Sequence, residues 1–212
     1  MYDLTNLTVR SIAVSEMSNN VYLLTSKTTG AEVLIDAADD APAILALLAE
    51  AQSDTSADAK LGLIVTTHSH WDHVRALAEL REATQAPTAA GLDDVADIAV
   101  PTDVPLHHGD VRSIDDIDLE VIHLRGHTPG SIALLYRDPQ GPAHLFTGDS
   151  LFPGGLGNTN DDAARFSALY TDVVTRIFDR LPDDTLVHPG HGDGTTLGAQ
   201  RGSLAEWKER GW

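Results

Sequence analysis

Leu61-Gly62-Leu63-Ile64-Val65-Thr66-Thr67-His68-Ser69-His70-Trp71-Asp72-His73 is the stretch that decides the fold. Its first half is an apolar run of the kind that makes a buried strand. Its second half packs three imidazoles and a carboxylate between His68 and His73. Beyond it, Val74, Leu77 and Leu80 recur at helical spacing, so a helix is expected to run to Glu82. A strand, a polar loop and a helix in that order put the loop at the carboxyl end of a sheet, where α/β proteins bind ligands. Imidazole and carboxylate together suit zinc, and also iron or manganese. His68 and His70 are two apart, so on an extended loop both side chains leave one face and can grip one ion. Asp72 and His73 are adjacent and suit a second ion better.

Working outward, Leu7 to Val14, Val21 to Thr25 and Val33 to Ile35 read as strands, broken by turn chemistry at Asn19-Asn20 and Lys27-Thr28-Thr29-Gly30. Asp36 ends the third strand. It reads first as a turn or helix-approach residue, with a place beside the site as the alternative. Asp39 or Asp40 is expected to cap a helix that has Pro42 in its first turn and Ile44, Leu45, Leu47 and Leu48 on its buried face. After the histidine loop, Pro87 to Ala90 is a short strand and the segment to Pro105 is ambiguous. His107-His108-Gly109-Asp110 is expected to be an exposed hairpin turn.

The later part of the chain places single polar residues at strand ends. The strand Leu119 to Leu124 contains His123, read as packed or solvated, and leads to Arg125-Gly126-His127-Thr128-Pro129-Gly130-Ser131, a tight turn around one imidazole. Ile132 to Tyr136 and His144 to Thr147 are strands, and the second ends in Gly148-Asp149-Ser150. His144 lies at the far end of its strand from that carboxylate. Asn160 or Asp161 is expected to cap a helix carrying Phe166, Leu169, Val173, Ile177 and Leu181. The last strand, Thr185 to Val187, runs into His188-Pro189-Gly190-His191-Gly192, and a closing helix carries Leu204 and Trp207. Strands of one sheet end near one another, so His68, His70, Asp72, His73, His127, Asp149 and His191 are candidates for one site.

Composition sets the bounds. The 212 residues are 42% hydrophobic and read as a single α/β domain over 1–212. A formal net charge of −18 argues against unassisted binding to nucleic acid or to anionic membranes. No cysteine is present, so disulfides, thiol nucleophiles and thiolate ligands are all excluded. Met1 to Asn6 lacks the basic-then-apolar pattern of a signal peptide, and no apolar run is long enough to span a membrane. A cytoplasmic location is the default expectation, a small molecule the expected partner, and the oligomeric state is open.

Four motifs together resemble those of the metallo-β-lactamase superfamily: Thr67-His68-Ser69-His70-Trp71-Asp72-His73, Gly126-His127-Thr128-Pro129-Gly130-Ser131, Thr147-Gly148-Asp149-Ser150-Leu151-Phe152 and Pro189-Gly190-His191-Gly192. The resemblance implies a four-layer αββα sandwich, two mixed sheets face to face with helices outside. It implies two divalent metal ions, with zinc first and iron or manganese as alternatives. His68, His70 and His127 would hold one ion, Asp72, His73 and His191 the other, and Asp149 would bridge them. The missing Cys and the presence of Asp149 and His70 set the chain apart from β-lactamases and diiron flavoproteins of this family. Its acidity sets it apart from the nucleases. What remains is similar to the glyoxalase II branch, in a short form without the C-terminal helical domain. Gly155-Leu156-Gly157-Asn158 has Asn where that branch often has Arg.

The resemblance therefore implies hydrolysis of a thioester or related ester by a hydroxide activated between two metals, with Asp72 also orienting that hydroxide or passing its proton. Trp71, Phe152, Asn158 and Arg165 are the expected substrate-side residues. Three alternatives accompany it: a persulfide dioxygenase-like enzyme with one iron on His68, His127 and Asp149, a lactone hydrolase, and a non-catalytic member of the family.

Overall fold

The structure is a computed structural model and describes residues 1–211. Seven strands in sequence order make the first sheet: β1 (Tyr2–Asp3), β2 (Leu7–Val14), β3 (Asn19–Ser26), β4 (Ala31–Ile35), β5 (Lys60–Thr66), β6 (Thr88–Gly91) and β7 (Val104–Leu106). The first four pair antiparallel, and β4 to β7 pair parallel. Parallel neighbours need a crossover. α1 (Ala41–Ala51) supplies it between β4 and β5, and α2 (Leu77–Thr84) between β5 and β6.

The second sheet begins with an antiparallel meander of β8 (Val111–Ile114), β9 (Ile117–His123), β10 (Ile132–Tyr136) and β11 (His144–Gly148). A short hairpin, β12 (Leu151–Phe152) and β13 (Gly155–Leu156), leads to α3 (Ala163–Val173). β14 (Leu186–Pro189) then pairs parallel with β11, and β15 (Thr195–Thr196) lies beside it. Helices α4 (Leu197–Arg201) and α5 (Leu204–Arg210) follow. No helix among the described residues is long and apolar enough to cross a membrane.

Alternation along the strands builds the layers. Leu23, Leu34 and Ile64 face Ile44 and Leu47 of α1 and Leu77 and Leu80 of α2. Their neighbours Leu24, Val33, Leu63 and Val65 face the second sheet at Leu119, Val121, Leu134 and Phe146. On that sheet's outer side Ile122, Ala133, Leu135 and Leu145 pack against Leu169, Val173, Ile177 and Trp207. The order is helix, sheet, sheet, helix, as the four-layer expectation had it. Strands covered on both faces read as continuous apolar runs, which is why their periodicity was weak and their existence clear.

Three local expectations are corrected. Asn19 and Asn20 are not a turn but the buried start of β3. The helix cap is Asp162, which accepts from the backbone N–H groups of Ala164 and Arg165. Asn160 and Asp161 instead have φ of 56° each, a left-handed bend that short polar side chains tolerate best. His107 and His108 are exposed as expected, but their turn is not a hairpin, because β7 and β8 belong to different sheets.

One buried acid sits under the helical layer. Glu32 lies across from Thr25 in the β3–β4 register and accepts a hydrogen bond from its hydroxyl at 3.0 Å. Burial raises its carboxyl from an ordinary 4.5 to about 7, with the Asp54 charge adding to it and the Thr25 hydrogen bond opposing. Between those two values the folded chain holds a proton that the unfolded chain has released. Stability therefore falls as pH rises through that window, by about 1–2 kcal/mol after discounting for solvent screening. Denaturant unfolding at pH 5 and pH 8 isolates this by difference: going from pH 5 to pH 8, Glu32→Gln is expected to lose about 1–2 kcal/mol less stability than the wild type, the imidazole contributions being common to both.

Candidate metal centre

The seven candidate ligands come from both sheets and converge on one edge. His68, His70, Asp72 and His73 follow β5, whereas His127 lies between β9 and β10, Asp149 follows β11 and His191 follows β14. Ligand atoms lie within 4.8 Å of one another in three trios: His68, His70 and His127; Asp72, His73 and His191; and His68, His73 and Asp149. Asp149 stands between the first two. Its Oδ2 is 3.7 Å from His127 Nε2 and 3.4 Å from His191 Nε2. Its Oδ1 is 3.5 Å from His73 Nε2. Close approach is possible because position 190 has no side chain. A Cβ on Gly190 would stand 2.2 Å from Asp149 Oδ1 and 2.8 Å from His73 Cε1.

Hydrogen bonds at the outer ring nitrogens decide which nitrogen faces inward. His73 Nδ1 lies 2.9 Å from Asp36 Oδ2, an acceptor only, so Nδ1 carries the proton. His127 Nδ1 donates to the Asn158 carbonyl at 2.8 Å, and His191 Nδ1 to the Met17 carbonyl at 2.9 Å. His68 Nδ1 meets the Thr67 hydroxyl at 3.1 Å. That hydroxyl already donates to Asp36 Oδ2 at 2.8 Å, so it accepts from His68. In the neutral form of each of these four rings, Nε2 offers a lone pair to the interior. His68 Nε2, His127 Nε2 and Asp149 Oδ1 are buried with no hydrogen-bond partner. Buried polar atoms without partners are costly, and a cation among them removes the cost. The residues present therefore fit divalent metal ions, with outer partners of the kind that orient metal-binding histidines.

The electrostatics agree with a site built for positive charge. Burial would raise Asp149, yet His191 and His73 outweigh it and hold the carboxyl far below the ordinary range. Burial would lower His73, but Asp36 and Asp149 lift it to about 10. A hydrogen bond with Asp149 likewise raises His191. Burial keeps His68 and His127 below the usual imidazole value. The same carboxylates that raise these imidazoles attract a metal ion, so metal binding at His73 competes with protons.

The expected substrate-side residues divide. Trp71 is exposed and Phe152 half-buried. Asn158 instead contributes its backbone carbonyl to His127, while its side-chain oxygen accepts from Asn160 N–H at 2.7 Å. Arg165 donates to the carbonyls of Gly126 and His127, so its guanidinium braces the turn that carries a ligand. Of the remaining histidines, His123 donates Nε2–H to the Pro129 carbonyl at 2.8 Å. His144 and His188 are buried and hydrogen-bonded to each other at 2.9 Å, apart from the ligand trios.

Three positioning residues escaped the sequence reading or were undervalued by it. Asp36 is at the site: it accepts from Thr67 N–H at 2.7 Å as well as from the Thr67 hydroxyl and His73. Buried Asp94 accepts from Ser69 N–H, the Thr128 hydroxyl and Gly130 N–H at 2.8, 2.6 and 2.6 Å, tying the histidine loop to the His127 turn. Asn19 donates to the Asp72 carboxylate at 2.9 Å. A carboxylate at a strand end was the available signal for Asp36. Asp94 sits in a short 3-10 turn without periodicity and gave none.

Because Asp36 sets the tautomer of His73 directly and of His68 through Thr67, Asp36→Asn is expected to weaken zinc binding about 10–100-fold. Competition with a chromophoric chelator measures this, and an unchanged far-ultraviolet dichroism spectrum shows that the fold is kept.

The metallo-beta-lactamase superfamily model matches residues 14–191. Hydroxyacylglutathione hydrolase GloC of Haemophilus influenzae is 30% identical over 165 residues, 69% of this chain and 76% of that protein. A hydroxyacylglutathione hydrolase of Cereibacter sphaeroides is 35% identical over 82% of this chain, and the match spans only 62% of that longer protein. The crystal structure of ETHE1 from Myxococcus xanthus superposes with a TM-score of 0.80 at 30% identity, covering 95% of this chain and 85% of that one. With the motifs, the layers and the ligand geometry in agreement, the chain belongs to the metallo-β-lactamase superfamily.

Proposed function

We propose that this chain is a metal-dependent hydrolase acting on a thioester of the hydroxyacylglutathione kind or on a closely related ester. The observation that carries the reading is the convergence of candidate ligand atoms around Asp149, with His68, His70 and His127 on one side and Asp72, His73 and His191 on the other, among which His68 Nε2, His127 Nε2 and Asp149 Oδ1 are buried without a hydrogen-bond partner. Relatives named hydroxyacylglutathione hydrolases support the substrate class. The donor set suits zinc, with iron or manganese as alternatives. Divalent ions bound there supply Lewis acidity, polarising a carbonyl and lowering the pKa of a water to near neutrality.

The chain's own residues orient and hold protons. Asp72 Oδ2 is fixed by Asn19 Nδ2 and lies 3.3 Å from His191 Nε2, where it serves to orient the attacking water or accept its proton. Arg165 and Asn158 keep His127 in place, and Asp36 keeps His73 and His68 in their tautomers. A cysteine nucleophile is excluded by composition. The small-molecule substrate approaches the exposed edge at Trp71.

A second reading is favoured by the ETHE1 match: a persulfide dioxygenase-like enzyme using one iron on His68, His127 and Asp149. Protein loaded with zinc, iron or manganese separates the two when assayed on thioesters, lactones and β-lactams, and in an oxygen electrode with a thiol persulfide. Thioester hydrolysis without oxygen uptake is expected, and His68→Ala is expected to lower it by at least about a thousandfold. Stoichiometric oxygen consumption with one iron per chain would replace the hydrolase reading with the second.

A further inference from the structure

We infer that Gln200 and Arg210, on α4 and α5, are positioning residues for the candidate metal centre: they pin the tip of the β12–β13 hairpin, and the segment leaving that hairpin carries the carbonyl that orients His127. Both backbone groups of one residue, Gly154, are taken by side chains from far along the chain. Its N–H donates to Gln200 Oε1 at 2.8 Å, and its carbonyl accepts from Arg210 Nη2 at 2.8 Å. Each of these side chains is anchored in turn. Gln200 donates Nε2–H to Thr195 Oγ1 at 2.9 Å, which ties it to β15, and Arg210 donates to Glu206 Oε1 at 3.0 Å. Gly154 follows Pro153 in an exposed turn and has a φ of 84°. Water would satisfy both of its backbone groups there, so what the two side chains add is position rather than satisfaction.

The hairpin needs holding. Its strands are two residues each and join neither large sheet, and a two-stranded ribbon is marginal on its own. Its base is fixed by the Thr147 hydroxyl, which donates to the Leu151 carbonyl at 2.8 Å. Leu151 and Leu156, paired across the hairpin, belong to the same buried cluster as Leu197 of α4 and Trp207 of α5. The two helices that share this core with the hairpin thus also grip its tip. Just beyond the hairpin, position 157 lies hard against the centre. A Cβ there would collide with the Asp149 carbonyl oxygen and stand 3.1 Å from His127 Nδ1. The next residue, Asn158, supplies the carbonyl that accepts from His127 Nδ1 at 2.8 Å. A swing of the tip is therefore carried over four residues to the group that sets the tautomer and ring angle of a candidate ligand. Arg165 braces the backbone of His127 from α3, so the ring and the main chain of that residue are held from different elements. A hydrolase and an oxygenase at this centre would need that hold alike.

Gln200→Leu and Arg210→Leu test this on the zinc-loaded protein. Hydrogen–deuterium exchange of the amides of residues 154–157 is expected to quicken about fivefold in each variant. The His127 Nδ1 proton, followed by NMR of isotope-labelled histidine rings, is expected to exchange with solvent about three- to tenfold faster, while the His73 Nδ1 proton, held by Asp36, keeps its rate. Zinc release to a chromophoric chelator is expected to speed by about the same factor as the His127 proton. Gln200→Glu keeps an acceptor for the Gly154 N–H, and Arg210→Lys keeps a donor for its carbonyl, so both are expected to stay near the wild-type rates. Unchanged hairpin exchange, or a quickened hairpin with the His127 proton and zinc release untouched, would overturn the inference and leave the two side chains as surface ties only. Equal acceleration of the His73 proton would overturn it too, since a general softening of the fold moves both rings.

Discussion

The apolar layer between the two sheets sets the distance on which the metal centre depends. Four candidate ligands hang from the end of β5 in the first sheet, and three from turns and strand ends in the second. Neither half holds a complete set. Leu24, Val33, Leu63 and Val65 against Leu119, Val121, Leu134 and Phe146 bring the halves together. Close packing of this kind resists changes of even one methylene, so the position of His127 relative to His68 is as fixed as the core beneath it. A backbone bond from Ile132 N–H to the Thr67 carbonyl, 2.9 Å long, joins the halves at the level of the ligands themselves.

Buried carboxylates finish what packing begins. Asp94 bonds the histidine loop to the Thr128–Gly130 turn, and Asp36 links Thr67, His68 and His73. Each accepts several hydrogen bonds, which offsets the cost of burying its charge. Together they hold the histidine loop in place and set the protonated nitrogens of His68 and His73. The charge on Asp149 is held by the same neighbours that would share a metal with it, so an ion replaces protons there rather than filling an apolar void.

The edge that faces solvent has a different character from the interior of the site. Candidate ligands and carboxylates make the floor polar, whereas Trp71, between His70 and Asp72, is exposed. Arg165 and Asn158, whose types suggest substrate contact, are engaged with the protein's own backbone.

The sequence by itself determined most of the strands and helices and the seven candidate ligands, because each is written locally, while the four-layer class followed from the resemblance of four motifs to a known family. A buried strand is an apolar run, and ligands at strand ends are histidines and aspartates flanked by glycine. Cap positions slipped at Asn160 and Asp161, since Asn and Asp serve turns and caps alike and only the backbone conformation separates the roles. The tertiary structure alone decided which sheet each strand joins, so that the His107–His108 turn is a crossover and not a hairpin. It alone assigned Asp94 and Asn19 to the site, decided between the two roles open to Asp36, and turned Arg165 inward. Those roles rest on contacts between residues far apart in the chain, such as Asn19 with Asp72 or Asp94 with Thr128. No local pattern marks such contacts, because they exist only once the sheets have packed.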